Sequence, residues 1–154
     1  MKYFLIIIAT GCFLLVACNH QTAMPENLSV KLSGTWQLIQ GVTITKGDSA
    51  FTDYTKKERM IKIINDSHFA FLKHDVNVPK DSSLNFDAGG GSYELSGNQY
   101  KEHLDFYNDK NWEGKTFTFT VSVHNDTLVQ KGMEKVEGTG VDREIIEKYV
   151  RVKN

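Results

Sequence analysis

Residues 115–123 admit one local structure. Phe117, Phe119, Val121 and Val123 alternate with Thr116, Thr118, Thr120 and Ser122. A period of two puts the apolar side chains on one face of a strand and the hydroxyls on the other, where a helix would scatter both around its axis. A half-buried strand needs neighbours, so the rest of the chain must supply a sheet with one apolar face.

The first partner is the stretch over 32–44. Trp36, Leu38, Val42 and Ile44 share one parity and Thr35, Gln37 and Thr43 the other, with Gly34 allowing a tight approach just before the indole. Residues 45–57 are polar, with a turn at Lys46-Gly47-Asp48, and predict a loop with one helical turn. Strands are predicted over 60–64 and 68–73 around the turn formers Asn65-Asp66-Ser67, then a long connection over 74–87 holding Pro79.

Gly89-Gly90-Gly91 runs straight into the strand pattern Ser92-Tyr93-Glu94-Leu95. A phosphate-cradling loop would lead into a helix, so a bulge or sharp bend is the expectation. Ser96-Gly97-Asn98 turns the chain into a strand over 99–106, with Tyr100, Glu102, Leu104 and Phe106 on one face. Glu102 therefore either faces solvent or enters the interior, where it requires a cationic or hydroxyl partner; Arg151 is the partner expected. After His124-Asn125-Asp126 come strands over 127–133 and 145–153, joined by a loose loop at Glu137-Gly138-Thr139-Gly140. The last strand puts Glu147, Tyr149 and Arg151 on one face.

The fold class is therefore all-β, a small antiparallel meander of about eight strands with little helix. Closure into a barrel is expected because it removes the sheet edges. A chain of 154 residues suits one such domain. Charges nearly balance, with a formal net charge of −1, so no nucleic acid partner is implied. A monomer is expected.

The front end does not belong to this domain. Met1-Lys2 is a short cationic start, residues 3–16 are almost wholly apolar, and Leu15-Val16-Ala17-Cys18 puts small residues before a cysteine. This resembles the lipobox of bacterial lipoproteins, which implies cleavage before Cys18 and acylation of its sulfur and its amine. The apolar run is short for a transmembrane helix and ends in Asn19-His20-Gln21; cleavage before Cys12 would leave too little apolar chain. The chain thus divides into a signal peptide over 1–17, a lipidated cysteine with polar tether over 18–31, and a barrel domain over 32–154. Several acyl chains at about 0.8 kcal/mol per buried CH₂ make the membrane the first partner. Loss of Cys12 with the signal and of the Cys18 thiol to lipid leaves the mature domain without a disulfide. Asn19 is not the aspartate that retains some lipoproteins in the inner membrane, which points to the outer membrane of a bacterial cell envelope.

Leu32-Ser33-Gly34-Thr35-Trp36 is similar to the Gly-x-Trp opening of lipocalins and related calycin barrels. Gly90-Gly91-Ser92-Tyr93, Gly97-Asn98-Gln99-Tyr100-Lys101-Glu102, Gly114 and Tyr149-Val150-Arg151-Val152-Lys153 look like the pattern of bacterial lipocalin-like lipoproteins. The resemblance covers residues 32–153. It implies a barrel floor at which Arg151 packs across Trp36, with Gly34 beside them. Thr52-Asp53-Tyr54 spells the second lipocalin motif but follows the first strand instead of joining two late ones, so the resemblance is to a looser calycin-type relative.

No nucleophile elbow, serine or cysteine triad or useful carboxylate pair is present, and the histidines at 68, 74, 103 and 124 lack a ligating spacing. No enzyme activity, metal or cofactor is implied. The expected function is non-catalytic binding of a small, partly apolar ligand. Phe69, Phe71, Tyr93, Tyr100, Phe117 and Phe119 form the wall, and Glu102, Tyr149 and Arg151 the polar groups. The same aromatics could equally fill a solid core, which would make the protein a scaffold or interaction protein of the envelope. Cavity volume separates the two, because less than about 300 Å³ leaves no room for a typical ligand.

Overall fold

The computed structural model describes residues 30–79, 83 and 85–153. The expected signal peptide, Cys18 and nearly all of the expected tether lie outside the described residues. Nine strands follow one another: β1 (Gly34–Thr45), β2 (Asp48–Asp53), β3 (Glu58–Ile64), β4 (His68–Asp75), β5 (Phe86–Ser96), β6 (Gln99–Tyr107), β7 (Thr116–His124), β8 (Thr127–Val136) and β9 (Val141–Arg151). No helix is present among the described residues.

Every pairing is antiparallel, and β1 meets β9. The lower half of β1 pairs with β3 and its upper half with β2. The result is a closed eight-stranded antiparallel barrel with β2 as an extra strand on its rim. Eight strands enclose an interior just wide enough for side chains or one small ligand.

Two-residue turns set most of the register. Asn125 (φ 53°) sits between the paired residues His124 and Thr127, and Gly97 (φ 60°) between Ser96 and Gln99. At Lys46-Gly47 both residues have positive φ, 53° and 94°, the twist that a tight hairpin requires. That turn corrects the loop with one helical turn expected over 45–57. β1 instead continues to Thr45 and returns as β2, whose side chains are nearly all exposed, so its sequence carries no apolar alternation. The connection expected over 74–87 is also shorter, since His74 pairs with Phe86 and the triple glycine lies in mid-strand.

Two register shifts re-aim side chains. In β1 the pairing steps from Leu38–Tyr149 to Gln40–Lys148, leaving Ile39 as an extra residue. Gly41 and Thr43, opposite Glu147 and Ile145, then face inward, and Val42 and Ile44 leave the face they were expected to share with Trp36. In β6 the pairing steps from Gly90–Phe106 to Ser92–His103, so Gly91 alone faces two residues. A β-carbon on Gly91 would run into the His103 carbonyl and the Asp105 amide. Beyond this bulge Tyr107 turns in and Phe106 turns out, 70% exposed where the alternation placed it inside.

The core is continuous from floor to mid-barrel: Trp36, Leu38, Tyr100, Val121, Leu128 and Tyr149 are all essentially inaccessible. In β7, Phe117, Phe119 and Val121 are buried and the intervening hydroxyl residues exposed.

Candidate functional site

At the floor, Trp36 donates its indole N–H to the Leu32 carbonyl at 2.7 Å. The Arg151 guanidinium carbon lies 4.0 Å from the centroid of the Trp36 ring, and its Nη1 donates to the Ser33 carbonyl at 2.9 Å. Gly34, at φ 140°, has no β-carbon to strike that same nitrogen. Gly34, Trp36 and Arg151 thus come together as one seal, held between β1 and the end of β9.

Above the seal sits a buried cation that the sequence reading missed. Lys62 on β3 is only 3% exposed. Its Nζ donates to Glu102 Oε1 at 2.7 Å and to Gln130 Oε1 at 3.0 Å. The rings of Phe69 and Tyr149 (both 5.6 Å) and Tyr100 (5.9 Å) surround it. An ammonium among aromatic faces, with two acceptors, recovers much of the hydration it loses. This corrects the expected pairing of Glu102 with Arg151, which is at the floor, 3.7 Å from Asp126. Lys62 was legible: it shares parity with Met60 and Ile64 within a predicted strand, the position that singled out Glu102.

The opposite end of the barrel opens into a cavity of about 290 Å³. Phe71, Tyr107, Phe117, Phe119 and Trp112 form an aromatic wall, with Tyr54 and Met60 above it. Trp112 reaches the mouth from the β6–β7 loop, where Asp109 accepts from the Asn111 amide through its side chain (2.9 Å) and from the Trp112 amide through its carbonyl (3.0 Å). Its ring packs against Phe117 at 5.6 Å and Tyr107 at 6.2 Å between centroids, and the Arg143 guanidinium lies 5.9 Å from it.

The remaining lining is charged. Glu102 is tied to Lys62, Arg143 to Glu134 at 2.6 Å and Lys73 to Asp87 at 3.4 Å. Glu147 accepts from the Tyr149 hydroxyl at 2.6 Å. Burial pushes the Glu147 carboxyl above the usual carboxylate range, against the pull of Lys62 and of that hydrogen bond. Burial, then Glu147, holds the Tyr149 phenol well above its usual value, and the same two causes raise Tyr54. Burial and the Asp87 carboxylate push Tyr107 up to about 12.

Of the residues expected to line a pocket, Phe71, Glu102, Phe117 and Phe119 do so. Phe69, Tyr100 and Tyr149 lie instead in the closed core around Lys62. Tyr93 is half-buried, its ring 5.1 Å from that of Tyr100 and its hydroxyl donating to the Asn65 carbonyl at 2.7 Å. The Tyr100 hydroxyl has no hydrogen-bond partner among the described residues. Trp112, Arg143 and Glu134 escaped the sequence reading because a loop and the far ends of β8 and β9 carry them, outside the predicted strands.

A meander closed from first strand to last, sealed at one end by an indole under a guanidinium and open at the other, defines a lipocalin-like barrel. The chain belongs to the family described as a domain of unknown function (DUF4488), whose model matches residues 31–154. A lipocalin-like protein from Bacteroides uniformis is similar in structure at 22% identity and a TM-score of 0.47, the match covering 79% of this chain and 98% of that one. No curated protein matches the sequence.

Proposed function

We propose that this is an envelope-anchored, monomeric, non-catalytic barrel that binds one small, partly apolar ligand in its open end. The observation that carries the reading is the cavity itself, an aromatic wall facing a few fixed polar groups at the mouth of a closed barrel. Its volume of about 290 Å³ falls just under the ~300 Å³ limit stated above, so by that criterion a typical ligand is excluded and only a smaller one is proposed. The space inside the mouth suits a ligand smaller than drug-sized. The ligand is therefore compact.

The anchor follows from Cys18. Val30 donates to the Gly97 carbonyl, so the chain that leads from Cys18 joins the domain at the floor end. Fully extended, the chain from Cys18 to Val30 reaches up to about 40 Å. Detergent phase partition tests this: the wild type enters the detergent phase and Cys18→Ser stays in the aqueous phase. For the outer membrane, sucrose-gradient separation of the two membranes is the check.

Glu102 is engaged by Lys62, and among the described residues no histidine lines the cavity, which favours the non-catalytic reading. Native mass spectrometry of the chain purified from its own membranes tests binding. A co-purifying molecule that leaves on unfolding is the expected result.

A scaffold role has one specific observation behind it. Ile63, Ala70, Gly90 and Phe106 pair in a row across the outer face of four strands, with Leu72 beside them, and Ile63, Leu72 and Phe106 are exposed. A ligand-free spectrum together with self-association that Phe106→Asp abolishes would favour that role.

A further inference from the structure

The charges around the cavity do not balance, and the excess bears on what fits inside. Three cations and four carboxylates line it. Lys62 is taken by Glu102, Arg143 by Glu134 and Lys73 by Asp87. Glu147 is the remainder. It receives the Tyr149 hydroxyl, and among the described residues no cation lies within ion-pair distance of it. A carboxylate offers about four acceptor directions, and one hydroxyl fills one of them.

We infer that the cavity takes a compact organic cation, an amine on a small apolar or aromatic body, with its ammonium on Glu147 and its body against Tyr107, Trp112 and Phe117. The inference rests on reading the cavity as a ligand site and adds the charge of what enters. An anion would meet the surplus carboxylate and would find Lys62 already engaged by two acceptors. A neutral ligand of the same shape would leave Glu147 as it stands, a half-buried carboxyl without a counter-charge that holds its proton more tightly than a free one, whereas a cation beside it favours the ionised form. An ammonium supplies both the charge and several donors.

Calorimetric titration of the full-length lipidated chain in zwitterionic nanodiscs, with empty nanodiscs as blank, separates the alternatives. The probes are phenethylamine, 2-phenylethanol and phenylacetate, which share a ring and differ in charge. Phenethylamine binding at least about tenfold tighter than the other two is the expected result, with the preference lost in Glu147→Gln. If 2-phenylethanol or phenylacetate binds as tightly as the amine, the cavity is a ligand site but the assigned charge is wrong. Failure of all three to bind overturns the ligand site and the inference together. The comparison among probes on the wild type needs no variant, so a misfolded Glu147→Gln would not shelter the claim.

Discussion

Lys62 and Glu102, forty positions apart, meet at 2.7 Å inside the barrel and join β3 to β6 across its interior. Neither strand is the other's neighbour in the sheet, so the pair fixes the cross-section where the solid core gives way to the cavity. Lys62→Met leaves Glu102 buried and unpaired and should cost about 3–5 kcal/mol. The double variant Lys62→Met/Glu102→Met should recover most of that. Urea unfolding of the three proteins checks both values; a double variant no better than the single would show that the pair is not the source of the loss.

The floor seal couples Gly34 to Arg151. Arg151→Ala should cost about 0.5–2 kcal/mol for the lost stacking on Trp36, and Arg151→Lys should recover little, because an ammonium lacks the planar face. Gly34→Ala suffers twice, from its φ of 140° and from a β-carbon placed against Arg151 Nη1. Removing Arg151 relieves only the second, so a double-mutant cycle should show the two losses to be less than additive.

Gly91 faces the bulge in β6 with backbone on its open side. The two nearest atoms are backbone, so moving the Asp105 side chain would not make room and Gly91→Ala should destabilise by about 1–3 kcal/mol or shift the register of β5 on β6. Hydrogen exchange at Tyr107 and Leu104 distinguishes these outcomes.

The Glu147 carboxyl titrates above its ordinary value of 4.5, among Lys62, Glu102, Glu134, Tyr149 and Tyr54. A raised carboxyl pKa means that the folded state holds its proton more tightly. The associated stability is complete below the unfolded value and is lost as pH rises through the folded one. Glu147→Gln has no such loss, so its stability relative to wild type should climb as pH rises from 4.5 toward neutrality. Denaturation across that pH series is the measurement; a flat or falling difference would contradict it.

The outline of the fold could be read because its strands obey simple rules. β7 alternates without exception, the hairpin turns carry glycine or asparagine at their positive-φ positions except at Lys46, and Trp36 and Arg151 lie at the two ends of the series. What could not be read was phase. An extra residue at Ile39 and the bulge beyond His103 each invert the alternation in mid-strand, sending Val42, Ile44 and Phe106 outward and Tyr107 inward. The glycines opposite or beside these shifts are their only trace in the chain. The wall of the cavity fell to residues just past such breaks or on loops, and so the site was less legible than the core below it.

The central claim is that one end of this barrel is sealed and the other receives a ligand, and the chain's two tryptophans mark those ends. Trp36 lies at the seal with its indole N–H on Leu32, and Trp112 lines the cavity. With tryptophan-selective ¹⁵N labelling, titration with a small amine such as phenethylamine should move the Trp112 indole resonance to saturation and leave that of Trp36 in place. Movement of Trp36 alone, or of neither, would contradict the account.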